Sequence, residues 1–134
     1  MDGYRRGGHT KYSLKMHVIL VTKYRKPLFK SKEFSEDVKQ YIYDIAVKHR
    51  YTIIQMEVDT DHIHILIEYP PGVAASTVVS QLKQYSTYNA WKHHCKYLLK
   101  SYWKKRNLWS DGYFCCGIGQ VSQAVIERYI AQQG

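Results

Sequence analysis

The stretch DTDHIHILIEYP, residues 59–70, sets two histidines one residue apart among isoleucines. Side chains alternate between the faces of a strand. His62, His64, Leu66 and Glu68 therefore share one side, and Ile63, Ile65 and Ile67 share the other. Both imidazoles then project from one face, about 7 Å apart along the strand, and can converge on a single cation. Two half-exposed histidines satisfied by water would produce the same pattern. Two ligands are also too few for a stable metal site, so a third has to come from elsewhere. The final segment, VSQAVIERYIAQQG, places Val121, Val125, Tyr129 and Gln133 at successive i+4 steps. In a helix, Tyr129 and Gln133 would lie one turn apart, roughly 6 Å along the axis. If that helix docks on the histidine face, it brings a phenol and an amide oxygen toward the imidazoles. Tyr129 is one of thirteen tyrosines, and packing is the default role of any one of them.

The elements that must position these groups follow from periodicity. Residues 12–22, YSLKMHVILVT, alternate and then become fully apolar, as in a central strand. KYRKPLF carries a proline and reads as a loop. Ser35 or a residue near it is placed to cap a helix over 36–49, with Val38, Tyr41, Ile42, Ile45 and Ala46 on one stripe. Residues 51–58 form a second strand, and Asp59-Thr60-Asp61 a short turn. Residues 62–69 form a third strand, and the tight connection makes the pair an antiparallel hairpin. Pro70-Pro71-Gly72 ends it. Residues 75–90 show helical spacing, whereas 91–109 resist assignment. Residues 113–118 read as a fourth strand, and Ser122 caps a last helix running to Gln133. The order β-α-β-β-α-β is that of the ferredoxin-like split fold, an α+β antiparallel sheet with two helices on one face. The seventh element, the helix with Tyr129, is added to it. Residues 1–134 make a single domain with no linker or repeat.

Charge narrows the partners. Twenty Lys+Arg against eleven Asp+Glu leave a formal +9. From Gly3 to Lys32 nine basic residues occur with no acid. Between Glu68 and Asp111 acids are again absent. Tyr85, Tyr88, Trp91, Tyr97, Tyr102, Trp103 and Trp109 interleave with lysines there. Cations beside flat rings suit nucleic acid with unpaired bases. Candidate contacts are Arg5, Arg6 and Lys11 together with Lys83, Lys92, Lys96, Lys104, Lys105 and Arg106. The neighbouring pair His93-His94 is placed to touch phosphate. Cys95, Cys115 and Cys116 are odd in number and lack CxxC spacing, so they read as reduced thiols. No apolar run is long enough to span a bilayer and no leader opens the chain. The expected compartment is the cytoplasm.

Taken together, HIH (His, bulky apolar, His), YIAQQ as Tyr-x-x-x-Gln, NLWSDGYF at 107–114 and VTKYRKPLF at 21–29 resemble one family over nearly the whole length. That family is the single-tyrosine HUH transposases of bacterial and archaeal insertion sequences, the IS200-like transposases. One departure is Thr60, where the family usually has proline. The resemblance implies that His62, His64 and Gln133 hold Mg²⁺ or Mn²⁺ and that Tyr129 is the nucleophile. It implies that single-stranded DNA is cut and rejoined through a 5′-phosphotyrosine link, with hairpins recognised at the element ends. It further implies a homodimer whose terminal helix can sit in its own or the partner's site. The glycines before Val121 suit such a movable connection, or a plain strand terminator.

The base that takes the phenol proton stays open among Asp59, Asp61 and a water on the cation. None of His9, His17, His49, His93 and His94 is assigned to catalysis. The rival readings are another HUH nuclease (replication initiator, relaxase or repeat-associated type) and a non-catalytic binder of single strands. A structural zinc site using the cysteines is a third.

Overall fold

The computed structural model describes residues 13–117 and 123–133. Four strands form one sheet in the order β2-β3-β1-β4, every neighbouring pair antiparallel. They are β1 (Leu14–Val21), β2 (Thr52–Val58), β3 (His62–Tyr69) and β4 (Phe114–Gly117). Helix α1 (Lys32–Lys48) joins β1 to β2, and α2 (Ala75–His93) with the short α3 (Cys95–Leu99) follows β3. Helix α4 (Gln123–Gln132) is the last described element. This is the ferredoxin-like arrangement expected from the element order.

Alternation in β3 sorts the two faces. Ile63, Ile65 and Ile67 are fully buried, and they join Val18 and Leu20 of β1 in one core cluster with α1 and α2 residues such as Ile42 and Leu82. Burying each isoleucine contributes about 1.5–3 kcal/mol. The continuous apolar run of β1 has a different cause. Ile19 and Val21 point away from that core and pack with Ile130 of α4 in a second cluster. Both faces of β1 are thus covered, by α1 and α2 on one side and by α4 on the other.

Several boundaries differ from the sequence expectation. The cap of α1 is Ser31, four residues before Ser35; its hydroxyl accepts from the Phe34 amide at 3.2 Å. Helix α2 runs on to His93, and a break at His94 separates it from α3. The Asp59–Asp61 turn forms without proline: the Thr60 amide donates to Asp59 Oδ1 at 2.7 Å, and the Asp59 amide to the His62 carbonyl at 2.9 Å. In β2 a register shift between Ile53 and Gln55 turns Ile54 out to solvent, which keeps Met56 and Val58 on the core side. Ser122, Gly119, His9 and the N-terminal Arg5, Arg6 and Lys11 lie outside the described residues. Among the described residues no helix is long and apolar enough to cross a membrane.

Candidate active site

Antiparallel register decides which side chains share the second face. Val21 pairs with His62, Ile19 with His64 and His17 with Leu66. Directly opposed residues point the same way, so His17, Ile19 and Val21 stand beside the two motif histidines. Ile130 packs on Ile19 and Val21, which seats α4 on the histidine-bearing face of its own chain.

Each imidazole is held by a specific neighbour. Asp61 Oδ1 lies 3.0 Å from His62 Nδ1, so His62 keeps Nδ1–H and its lone pair lies on Nε2. Burial opposes ionisation of Asp61, but hydrogen bonds from His62 and from Arg25, at 3.1 Å, outweigh it and hold the carboxyl below its usual range. Asp61 is therefore committed to orienting His62 and pairing with Arg25. His64 Nε2 lies 2.9 Å from His17 Nδ1, one nitrogen donating to the other. Burial first, then the nearby His17, push the pKa of His64 below its ordinary value, with Glu57 opposing. The neutral ring is thereby favoured, with its Nε2 shared with His17. His17 thus belongs to the site although no motif marks it. Its parity with Ile19 and Val21 in β1 was the available signal, but its contact with His64 spans 47 residues.

The helix groups converge on the loop before β4. An added Cβ on Gly112 would lie 3.7 Å from the Tyr129 hydroxyl and 3.9 Å from Gln133 Oε1. Tyr129 and Gln133 therefore meet over this glycine. Gln133 sits one residue past α4, its amide bonded to the Ile130 carbonyl at 3.1 Å, and its Oε1 accepts from Ser110 Oγ at 3.1 Å. The Tyr129 ring packs against Phe114, with centroids 5.6 Å apart. Its hydroxyl is buried with no hydrogen-bond partner among the described residues, and burial pushes the phenol up to about 12. Among the described residues no three His, Cys, Asp or Glu side chains form a ready-made cation cage. Any cation bound by His62 and His64 would need a donor such as the Gln133 amide.

The basic candidates separate by environment. Lys92, Lys96, Lys104, Lys105 and Arg106 are exposed. Lys92 Nζ lies 6.0 Å from the Tyr88 ring centre, and the Arg106 guanidinium 5.0 Å from that of Trp91. Beside them runs a groove of about 380 Å³ lined by Thr87, Tyr88, Arg106, Asn107 and Trp109. His94 is held 2.7 Å from Asp37 and His93 stacks on Tyr41, so both have protein partners. Lys83 is half-buried and turned toward backbone carbonyls.

Comparison with known proteins supplies context. Residues 10–133 match the family model described as IS200-like transposase. The IS200 transposase of Salmonella typhimurium is 29% identical over 125 residues, covering 93% of this chain and 80% of that one. The ISDra2 transposase TnpA of Deinococcus radiodurans is 30% identical over 129 residues, covering 96% and 90%. The crystal structure of a transposase candidate from Deinococcus radiodurans R1 superposes with a TM-score of 0.84 at 27% identity, over 96% of this chain and 97% of that one. A REP-associated tyrosine transposase bound to a REP hairpin shares the fold, with a TM-score of 0.57 at 16% identity over 99% and 70%.

Proposed function

We propose, starting from the fact that the chain belongs to the IS200-like transposase family, that it cuts and rejoins single-stranded DNA through a covalent bond to Tyr129. The observation that carries this reading is the meeting of Tyr129 and Gln133 over Gly112 on a helix seated against the strand beside His62 and His64.

In this reading the Tyr129 oxygen bonds to the phosphorus as the bond to the 3′-oxygen breaks. The phenol gives up its proton and the departing 3′-oxygen acquires one. One phosphoester replaces another, so a second 3′-hydroxyl can reverse the exchange without ATP. The donor set of two imidazoles and an amide oxygen suits Mg²⁺ or Mn²⁺: Nε2 of His62 has no hydrogen-bond partner among the described residues, a cation on His64 would use Nδ1 or take the place of His17 at Nε2, and Gln133 carries an oxygen. Such a cation would supply positive charge at a phosphate oxygen. His62 and His64 would hold it, with Asp61 fixing the first ring. Tyr129 rests as the neutral phenol, because a phenolate at its buried oxygen would be poorly solvated. Ser110 keeps the Gln133 amide turned inward. The substrate in this reading is hairpin-bearing DNA, and the working unit is a homodimer.

The test is to incubate the protein with labelled single-stranded DNA from the flanks of its own gene, with and without Mn²⁺. A metal-dependent covalent protein–DNA adduct is the expected result. Failure to form one with either flank in the presence of Mn²⁺ would overturn the reading.

Two variants grade the proposal. A Cβ at Gly112 would meet Tyr129 and Gln133 at ordinary van der Waals distance, so Gly112→Ala should keep adduct formation within a fewfold of wild type. Gly112→Leu should displace both side chains and lower the single-turnover rate by about 10²-fold. Equal rates for the two would remove Gly112 as the seat. Separately, replacing Lys104, Lys105 and Arg106 together by Ala should weaken DNA binding. The slope of log affinity against log salt should then flatten by about 2–3; an unchanged slope would exclude this patch from the DNA interface.

A further inference from the structure

Lys83 carries the charge of a DNA contact but makes the bonds of a structural clamp. Its ammonium donates to the carbonyls of Ser110 at 2.9 Å, Asp111 at 3.2 Å and Gly112 at 3.3 Å. An ammonium has three donors radiating from one atom, and all three are engaged. Those carbonyls belong to the loop on which Tyr129 and Gln133 converge. Ser110 Oγ binds Gln133 Oε1 at 3.1 Å, and Gly112 lies beneath the Tyr129 hydroxyl.

The loop is tied on its other side by the exit of β1. The Ser110 amide donates to the Val21 carbonyl at 2.8 Å, and the Lys23 amide to the Leu108 carbonyl at 2.9 Å. Lys23 Nζ reaches Asp111 at 3.3 Å. These bonds hold Leu108–Asp111 to the sheet, and Lys83 adds three bonds to consecutive carbonyls up to Gly112. Lys83 also rises from α2 and borders the groove beside Arg106 and Trp109. Burial lowers its pKa, opposed by Asp111; the carbonyl dipoles replace water around the charge.

We propose that Lys83 is a positioning residue that holds the Ser110–Gly112 loop as the seat of Tyr129 and Gln133, rather than a residue that binds phosphate. The proposal rests on Tyr129 and Gln133 working as described above, but its local effect does not.

Lys83→Met and Lys83→Arg test it together. Methionine keeps most of the stem and removes the donors. Arginine keeps the charge but spreads its donors over a planar fork that cannot aim three at one point. Both variants should lower the single-turnover adduct rate by about tenfold or more at saturating DNA. Hairpin DNA affinity and its salt slope should stay at wild-type values. Amide hydrogen exchange should rise about tenfold within residues 109–114 and remain unchanged in β3 and α1.

A phosphate-contact role gives the opposite pattern. Lys83→Met would then bind DNA more weakly with a salt slope smaller by about 0.7–0.9, Lys83→Arg would behave as wild type, and exchange in 109–114 would not change. That pattern, or a uniform rise in exchange across the whole chain, would overturn the proposal. Should the wild type form no adduct, the proposed function fails, while exchange and salt slope still decide the role of Lys83.

Discussion

A Tyr129→Phe protein is expected to bind hairpin DNA as well as wild type and to form no covalent adduct. Adduct formation should fall by at least about 10⁴-fold, as when a nucleophile is removed from a site that works as a unit. Phenylalanine keeps the ring against Phe114 and leaves Ile130 on Ile19 and Val21, so the seat of α4 survives. The substitution also deletes a buried hydroxyl that lacks a partner among the described residues. Leaving such a group unsatisfied costs about 1–3 kcal/mol. The variant should therefore melt at the same temperature as wild type or slightly above it. Loss of the adduct with retained affinity and undiminished stability separates a nucleophile from a packing residue. A variant that still forms an adduct would place the nucleophile elsewhere. A purely binding protein would show no adduct even in the wild type.

The second large effect concerns the histidines. His62→Ala and His64→Ala should each weaken Mn²⁺ binding by about 10–100-fold or more, followed by the electron paramagnetic resonance signal of free Mn²⁺. Loss of a partner that merely orients a ligand already costs that much. The fold should tolerate both changes: without His62, Asp61 retains Arg25 at 3.1 Å, and without His64, His17 turns to water. Acidity adds a signature. The pKa of folded His64 lies below the ordinary 6.5, so protons displace the cation only at a correspondingly lower pH. The stability sign is the reverse of a paired histidine. As pH falls through 6.5, the unfolded chain takes up a proton that folded His64 refuses, and stability falls. His64→Ala should remove that part of the acid destabilisation. Mn²⁺ affinity unchanged in both variants would show that these histidines hold no cation.

Much of this arrangement was legible in the chain. Period-two alternation placed His62 and His64 opposite three isoleucines, because consecutive side chains in any strand point to opposite faces. The apolar run of β1 marked a strand covered on both sides, and i+4 spacing put Gln133 one turn on from Tyr129 at the end of the last helix. Their meeting point is another matter. Ser110, Gly112 and Lys83 carry no motif, and Lys83 sat among the candidate DNA contacts because a lone lysine shows its charge and not its partners. Ser35 and Ser31 are equally good caps on paper. Ser31 directly follows the short turn in which Leu28 and Phe29 are buried, a tertiary feature that no local pattern records.

Local chemistry therefore determined the strand that bears the imidazoles, the helix that bears the phenol and the order of elements between them. Each of these depends on spacings of a few residues, which the backbone's own geometry enforces. Only the tertiary structure decided that His17 meets His64, that Asp61 orients His62, and that α4 lies on its own sheet with Tyr129 and Gln133 over Gly112. Those contacts join residues far apart in the chain. They follow from cross-strand register and from the packing of Ile130 on Ile19 and Val21, which exist only once the sheet has formed.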